Sequence, residues 1–161
     1  MNDWITDSQD ELSFDELIRD VDQIHIPIFQ RSYVWKKREF DYLIHDIEQI
    51  ENEIESSQFL GAVVAYERPR VRNIVGRMRI MDLVDGQQRM LTLYIFIMAI
   101  IERMADHDKE FAAEVAQEYL LLSQRRGLEI NTRIVPSLND RKQFSVLWNR
   151  LNSPVIISEQ L

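Results

Sequence analysis

Residues 80–101 have the sequence IMDLVDGQQRMLTLYIFIMAII, and the rest of the chain is organised around this stretch. The mainly apolar run 80–84 is typical of a buried strand, an Asp-Gly dipeptide interrupts it, and an apolar helical pattern begins at once. Between Gln87 and Ile101 the polar residues other than one tyrosine all lie in the first two helical turns. Such a helix must be buried along most of its length, so its polar beginning is either satisfied by protein groups or presented to a ligand.

This polar beginning has two explanations. Asp85 can act as N-cap by accepting a hydrogen bond from a backbone N–H of the first turn, while Gln88 reaches back as in a capping box. That does not explain Arg89, because a cation in the first turn opposes the helix dipole by up to about 1 kcal/mol. A bound anion held by free N–H groups and the guanidinium would favour Arg89 there, and so would a buried partner carboxylate. The sequence leaves both open.

Length and composition limit the class of protein. The chain has 161 residues and no cysteine, which fits one domain that buries about 70% of its unfolded surface and excludes disulfides, thiolate nucleophiles and zinc-thiolate sites. No secretory signal is visible, and the apolar stretch 90–101 is shorter than the roughly 20 residues that span a bilayer. We therefore expect a single domain over residues 1–161 of a cytoplasmic protein with no membrane partner. The apolar tail closes no element, which suggests the front part of a longer protein.

The charge distribution is uneven. The formal net charge of -8 argues against binding nucleic acid through overall electrostatics. Five arginines nevertheless crowd residues 68–79, between an apolar run at 58–66 and the strand that ends before Asp85. We expect a hairpin-like pair of strands with a basic tip. These arginines could contact a phosphate backbone, or they could only keep an exposed loop soluble.

A second segment, residues 24–35, has the sequence IHIPIFQRSYVW. It alternates at its start like a strand, but Pro27 confines it to a sheet edge or an irregular segment. Its aromatic residues beside Arg31 could stack on a base, or they could pack at the rim of the core.

The remaining patterns alternate between helices and strands. Ser13 and Glu16 predict a capped helix, and the apolar stripe in residues 36–57 predicts a long amphipathic helix on which Asp46 lies beside the stripe. Gly61 in the run 58–66 indicates a bend or a close approach of backbone or ligand. A helix at 108–123, a strand at 128–135 and a last helix follow, and the three histidines fit structural positions. This order predicts an α+β fold.

Four segments in this order resemble the N-terminal domain family of GmrSD-type restriction enzymes. They are residues 26–35 (IPIFQRSYVW), 43–47 (LIHDI), 59–64 (FLGAVV) and 84–93 (VDGQQRMLTL). The resemblance extends over roughly residues 12–151 and includes the Arg-Ile-Val-Pro and Asn-Asp region near position 135. It implies a ParB- and sulfiredoxin-like α+β fold, a small mixed sheet packed with several helices. It also implies hydrolysis of a nucleoside triphosphate, often with a metal ion, in bacterial defence against phage.

The resemblance places residues 85–89 and 29–31 on two family motifs, and the residue patterns add the other expected roles. The residues expected to be catalytic are those of the Asp-Gly-Gln-Gln-Arg motif, with Asp85 also holding Mg²⁺ or another divalent cation, namely Asp85, Gln87, Gln88 and Arg89. The residues expected to bind the nucleotide are Gln30, Arg31, Gly86 and Thr92. The residues expected to face DNA are Phe29, Tyr33, Arg68, Arg70 and Arg72.

Two departures from the family pattern limit these expectations. Leu91 stands where the family usually has a hydroxyl residue, so Thr92 alone offers a hydroxyl group there. No HNH nuclease motif is present, so we do not expect this chain to cleave DNA by itself, and its nuclease partner would be a C-terminal domain or a separate protein. Three functions stay open, which are a triphosphate-hydrolysing module, a sensor of modified DNA, and a protein-interaction module without catalysis.

Overall fold

A computed structural model describes residues 13–52, 61–68, 72–73, 76–77, 79–122 and 132–151. The helices in this part are α1 (Phe14–Asp20), α2 (Lys37–Glu51), α3 (Gln87–Ala105), α4 (Lys109–Tyr119) and α5 (Arg141–Leu151). The strands are β1 (Gln23–His25), β2 (Val64–Glu67), β3 (Arg72–Asn73), β4 (Gly76–Arg77), β5 (Ile80–Asp85) and β6 (Ile134–Val135). These elements confirm the expected α+β class, whereas the relationship to ParB and sulfiredoxin folds stays a prediction.

Four of the strands form one mixed sheet in the order β2-β5-β1-β6. β1 runs parallel to β5 and β6, and β2 runs antiparallel to β5. The expectation that Pro27 places its strand at an edge is wrong, because β1 lies between two partners. Ile26 still donates its N–H to the Val135 carbonyl (2.9 Å), and Pro27 follows where the chain leaves the ladder. The alternative, an irregular segment, is correct for residues 26–36.

The expected hairpin is confirmed as the antiparallel pair of β2 and β5. β2 begins at Val64, after Gly61, whose left-handed φ of 94° lies outside the extended region, and residues 58–60 of the expected strand lie outside the described residues. Residues 69–71, 74–75 and 78 of the expected basic tip lie outside the described residues, while β3 and β4 pair with each other there.

The core joins one face of the sheet to the helices. Ile24, Leu83 and Ile134 belong to the sheet side of this cluster, while α3 contributes the largest helical share. The capping box predicted at Ser13 is present and starts α1. α3 is buried along most of its length, as its apolar pattern predicts. Within the described ranges, no helix has both the length and the apolarity needed to cross a membrane.

Tyr94 connects α3 to the chain after α4. Its side chain is fully buried, its ring stacks on Phe144 with centroids 5.7 Å apart, and its hydroxyl donates to the Leu120 carbonyl. Burial raises the pKa of Tyr94, so the phenol stays a neutral donor.

We expect Tyr94→Phe to lower the free energy of unfolding by about 1–1.5 kcal/mol, because it removes a fully buried hydrogen bond to the Leu120 carbonyl, which then keeps only the Arg133 N–H as donor. The matched control is Tyr119→Phe, which removes a hydroxyl that donates to Asp15 on the surface of α1 and should cost about 1 kcal/mol or less. Urea unfolding of both variants measures the difference. Equal losses would contradict the importance assigned to the buried bond.

Candidate functional site

The strand-turn-helix unit turns at a single glycine. Gly86 is the N-cap of α3 with φ 91° and ψ 5°, a left-handed conformation that glycine adopts without a steric penalty. The N-cap role expected for Asp85 is therefore wrong, because Asp85 still belongs to β5, where it pairs with Val64. No side chain in the described part caps this helix, so Gln88 does not reach back to the cap as expected. The Asp85 side chain is instead 73% exposed.

Gln87 and Gln88 are buried and bind the backbone of the irregular segment that follows β1. Gln87 Nε2 donates to the Arg31 carbonyl at 2.9 Å. Gln88 makes two bonds, because its Nε2 donates to the Ser32 carbonyl at 3.2 Å and its Oε1 accepts the Val34 N–H at 2.9 Å. The amide groups of both glutamines therefore fix residues 31–34 against the start of α3.

Further contacts hold the same segment from other directions. Gln30 Nε2 donates to the Val84 carbonyl at 2.8 Å, at the end of β5. The Tyr33 N–H donates to both carboxylate oxygens of Asp140, and the Tyr33 hydroxyl lies 2.7 Å from Thr92 Oγ1. The structure thus brings together the two sequence motifs, residues 29–31 and 85–89.

Asp140 was not among the expected site residues. The only sequence signal for it is the Asn-Asp pair within the family resemblance, which gave no partner. Burial raises the pKa of Tyr33, so its hydroxyl remains neutral and can act as donor to Thr92. Thr92 is fully buried and also donates to the Gln88 carbonyl at 2.7 Å.

Arg89 is not paired with a buried carboxylate in the part of the chain that the structure describes. Its Nη2 donates to the Ala62 carbonyl, and the same atom lies 3.8 Å from Asp85 Oδ2. The guanidinium packs over Gly61, where an added Cβ would lie 2.6 Å from Nη1. A side chain, rather than backbone or a ligand, therefore approaches Gly61, and its left-handed φ of 94° fits the bend that was the other alternative.

Two polar atoms at the start of α3 have no hydrogen-bond partner among the described residues. They are Gln87 Oε1 and Arg89 Nε, and both are buried. A buried acceptor or donor without a partner costs about 1–3 kcal/mol, so a water molecule or a ligand group is expected beside each.

The outer surface of the site carries charged and apolar side chains. Arg31 is exposed beside the start of α3, and Phe29 and Ile28 are 72% and 62% exposed. Asp85 also faces solvent, so the motif turns its amides inward and its carboxylate outward. In the described ranges, no cluster of three or more histidine, cysteine, aspartate or glutamate residues could hold a metal ion by protein groups alone.

The other residues expected to face DNA are placed differently. Arg68 forms a two-pronged ion pair with the buried Asp82, with Nε–Oδ2 and Nη2–Oδ1 distances of 2.5 and 2.6 Å. Burial by itself raises the pKa of Asp82, but hydrogen bonds from Arg68 and Tyr66 and the Arg68 charge outweigh it and hold that pKa below its usual value. Arg70 lies outside the described residues, and Arg72 is described only as part of β3.

One histidine lies near this pair on the sheet. His25 Nε2 lies 2.7 Å from Gln23 Oε1, and burial lowers the pKa of His25 to about 4, helped by the nearby Arg68 charge. The ring is therefore neutral at pH 7, which fits the structural position expected from the sequence.

The comparison with protein families gives one match over most of the chain. The family model described as the GmrSD restriction endonuclease, N-terminal domain, matches residues 14–157. No curated protein matches the chain.

We expect Gln88→Ala to lower the free energy of unfolding by about 1–3 kcal/mol, because it removes both bonds that hold residues 32 and 34. The matched control is Gln143→Ala on an exposed position of α5, which should change stability by no more than about 0.5 kcal/mol. Thermal or urea unfolding of the two variants provides the comparison. A Gln88→Ala effect as small as the control would show that segment 31–34 holds its place without this side chain.

Proposed function

The chain belongs to the family of GmrSD restriction endonuclease N-terminal domains, a module of restriction systems, and from that premise we propose that it binds and hydrolyses a nucleoside triphosphate at the start of α3. The observation that carries the proposal is the beginning of that helix. α3 has 19 residues, a glycine N-cap and no side-chain cap in the described part. Its first N–H groups and the positive end of its dipole are therefore suited to a phosphate group.

Two arginine side chains near the start of α3 favour the binding of an anion there. Arg31 is exposed, and its carbonyl is bonded to Gln87, so its backbone lies beside the first turn of α3. Arg89 has a third of its side chain exposed, at 32%. In the proposal both guanidinium groups neutralise charge that develops on the transferred phosphoryl group, an arrangement that stabilises such transition states.

Asp85 is the residue that we propose for Mg²⁺ or another divalent cation. A single exposed carboxylate does not make a protein-only site, but Mg²⁺ is commonly held by one or two carboxylates together with substrate phosphates and water. The residues present therefore fit a cation that arrives with the triphosphate. When bound, such an ion would supply positive charge to the phosphate oxygens.

The two glutamines receive different proposed roles. Gln88 uses both ends of its amide on residues 32 and 34, so it positions the segment that carries Arg31. Gln87 keeps Oε1 without a partner among the described residues, so it can accept a hydrogen bond from the attacking water and orient it. Hydrolysis then joins the water oxygen to the terminal phosphorus and breaks that atom's bond to the bridging oxygen.

Gln30 and Thr92 hold the segments around this site through hydrogen bonds. Gln30 holds the end of β5 through the Val84 carbonyl, and the fully buried Thr92 holds Tyr33. We assign both to positioning the nucleotide-binding groups, with Gly86 providing the turn from β5 into α3.

A second candidate function is sensing of modified DNA by the same module. The observation that favours it is the exposure of Phe29 and Ile28 next to Arg31, because an aromatic side chain beside a guanidinium can stack on an unpaired base. Of the residues expected to face DNA, Tyr33 and Arg68 are already bound to protein groups. Cleavage would then require a nuclease as a C-terminal domain or separate partner.

For the triphosphate site, we expect a triphosphate with Mg²⁺ at a hundred times its dissociation constant to add about 2.7 kcal/mol of stability, and Mg²⁺ alone to add none. Asp85→Asn should lower the rate of phosphate release on the order of 10²-fold. The matched control is Asp106→Asn at the opposite end of α3, which should keep the wild-type rate. Full activity of Asp85→Asn would remove the proposed cation role.

For DNA sensing, we expect Phe29→Ala to weaken binding of modified duplex by about 1–3 kcal/mol without changing the melting temperature, since the side chain is exposed. Phe111→Ala, another exposed phenylalanine on α4, is the control and should leave binding unchanged. Fluorescence anisotropy at several salt concentrations measures both affinity and its salt dependence. An identical affinity in the two variants would exclude stacking at Phe29.

A further inference from the structure

A cleft between α2 and α3 lies next to the start of α3. Its volume is about 130 Å³, and its lining includes Trp35, Tyr42, Asp46, Arg89 and Leu93. Trp35 precedes α2, Tyr42 and Asp46 lie on α2 one turn apart, and Arg89 and Leu93 lie one turn apart on α3. Glu39 and Leu43 complete the lining, so the cleft combines two aromatic side chains with two carboxylates and one guanidinium.

Some polar groups that line the cleft have no hydrogen-bond partner among the described residues. Asp46 is half-buried and has no hydrogen bond or ion pair with any residue that the structure describes. The neighbouring Glu39 differs, because its carboxylate accepts the Lys36 N–H at 2.9 Å and pairs with Arg38. Arg89 adds the buried Nε–H without an acceptor. The cleft thus offers the Asp46 carboxylate as a free acceptor to a ligand.

We propose that this cleft binds the base of the nucleotide and that Asp46 selects guanine. The inference rests on the proposed function, because Arg89 belongs to both places. Its Nη2 binds Ala62 beside Gly86, and its side chain lines the cleft. A nucleotide whose phosphates lie at the start of α3 therefore has its base within reach of α2.

The choice of guanine follows from the chemistry of a carboxylate. Its two oxygens only accept hydrogen bonds, and guanine presents two neighbouring donors, the N1–H and the N2 amino group. Adenine and cytosine place an acceptor nitrogen beside their amino group, and uracil places a carbonyl on each side of its N–H, so both arrangements repel a carboxylate. Trp35 and Tyr42 supply faces for stacking that do not depend on the base.

The test uses Asp46→Asn, which keeps the size of the side chain and replaces one acceptor by a donor. We expect wild-type protein to bind guanosine triphosphate on the order of tenfold or more tightly than xanthosine triphosphate, whose second carbonyl faces the carboxylate. Asp46→Asn should reverse this order, because the new amide can donate to that carbonyl. Magnesium tripolyphosphate, which has no base, should bind both proteins equally.

Two further variants make the result specific. Asp41→Asn makes the same change on α2 outside the cleft and should preserve the wild-type order. Tyr42→Ala removes a side chain that is 65% exposed, so folding should be kept while all nucleotides, but not tripolyphosphate, bind more weakly. Calorimetric titration of each protein with each ligand gives the affinities.

The outcomes separate the two proposals. If neither nucleotides nor tripolyphosphate bind, the proposed function is overturned and this inference with it. If they bind but wild type prefers another base, or Asp46→Asn leaves the order unchanged, the cleft does not read the base while the phosphate site stands. A reversed order in Asp46→Asn alone supports the assignment.

Discussion

The candidate site at the start of α3 depends on the hydrogen bonds that side chains make to the backbone of residues 30–34. This segment forms neither helix nor strand, so its N–H and carbonyl groups need partners from elsewhere. The glutamines at the start of α3 supply three of these bonds, and Asp140 supplies the acceptor for another. Because the two glutamine side chains are buried, their loss costs more than the loss of equivalent surface contacts. The glutamines of the Asp-Gly-Gln-Gln-Arg motif therefore have a structural role, which is to hold residues 31–34 against the start of α3.

The Arg89 side chain makes a second set of contacts at the start of α3, against the backbone of two glycines. Gly61 and Gly86 both have left-handed backbone, and the Arg89 guanidinium lies against both of them. A side chain at either glycine would meet Arg89 or Val63 at 3.0 Å or less. The small residues thus let one arginine join the turn before β2 to the turn before α3. The charged groups left at the surface, Asp85 and Arg31, are the ones suited to a ligand.

Local patterns predicted the elements better than the contacts between them. The strand-turn-helix unit, the Ser13 capping box and the β2–β5 pair follow from periodicity and turn chemistry, and all are present. The N-cap was assigned to Asp85 because side-chain propensity favours it, but ladder pairing with Val64 holds that residue in the strand and leaves the turn to glycine. The partners of Gln87, Gln88 and Arg89 lie 27 to 56 residues away in sequence, so no local pattern could reveal them. The cleft at Asp46 was visible only as a carboxylate beside an apolar stripe.

The central position of β1 has a consequence for how the chain reaches this structure. β1 comes early in sequence but pairs on one side with β5 and on the other with β6, and Gln23 bonds the Thr132 carbonyl across 109 residues. Contacts of such high sequence separation require closure of long loops before they stabilise the chain, and they slow folding. During synthesis on the ribosome, β1 can therefore pair with β5 well before β6 emerges, while its other edge must wait for residues 134–135. Until then the edge of β1 that faces β6 is open to mispairing.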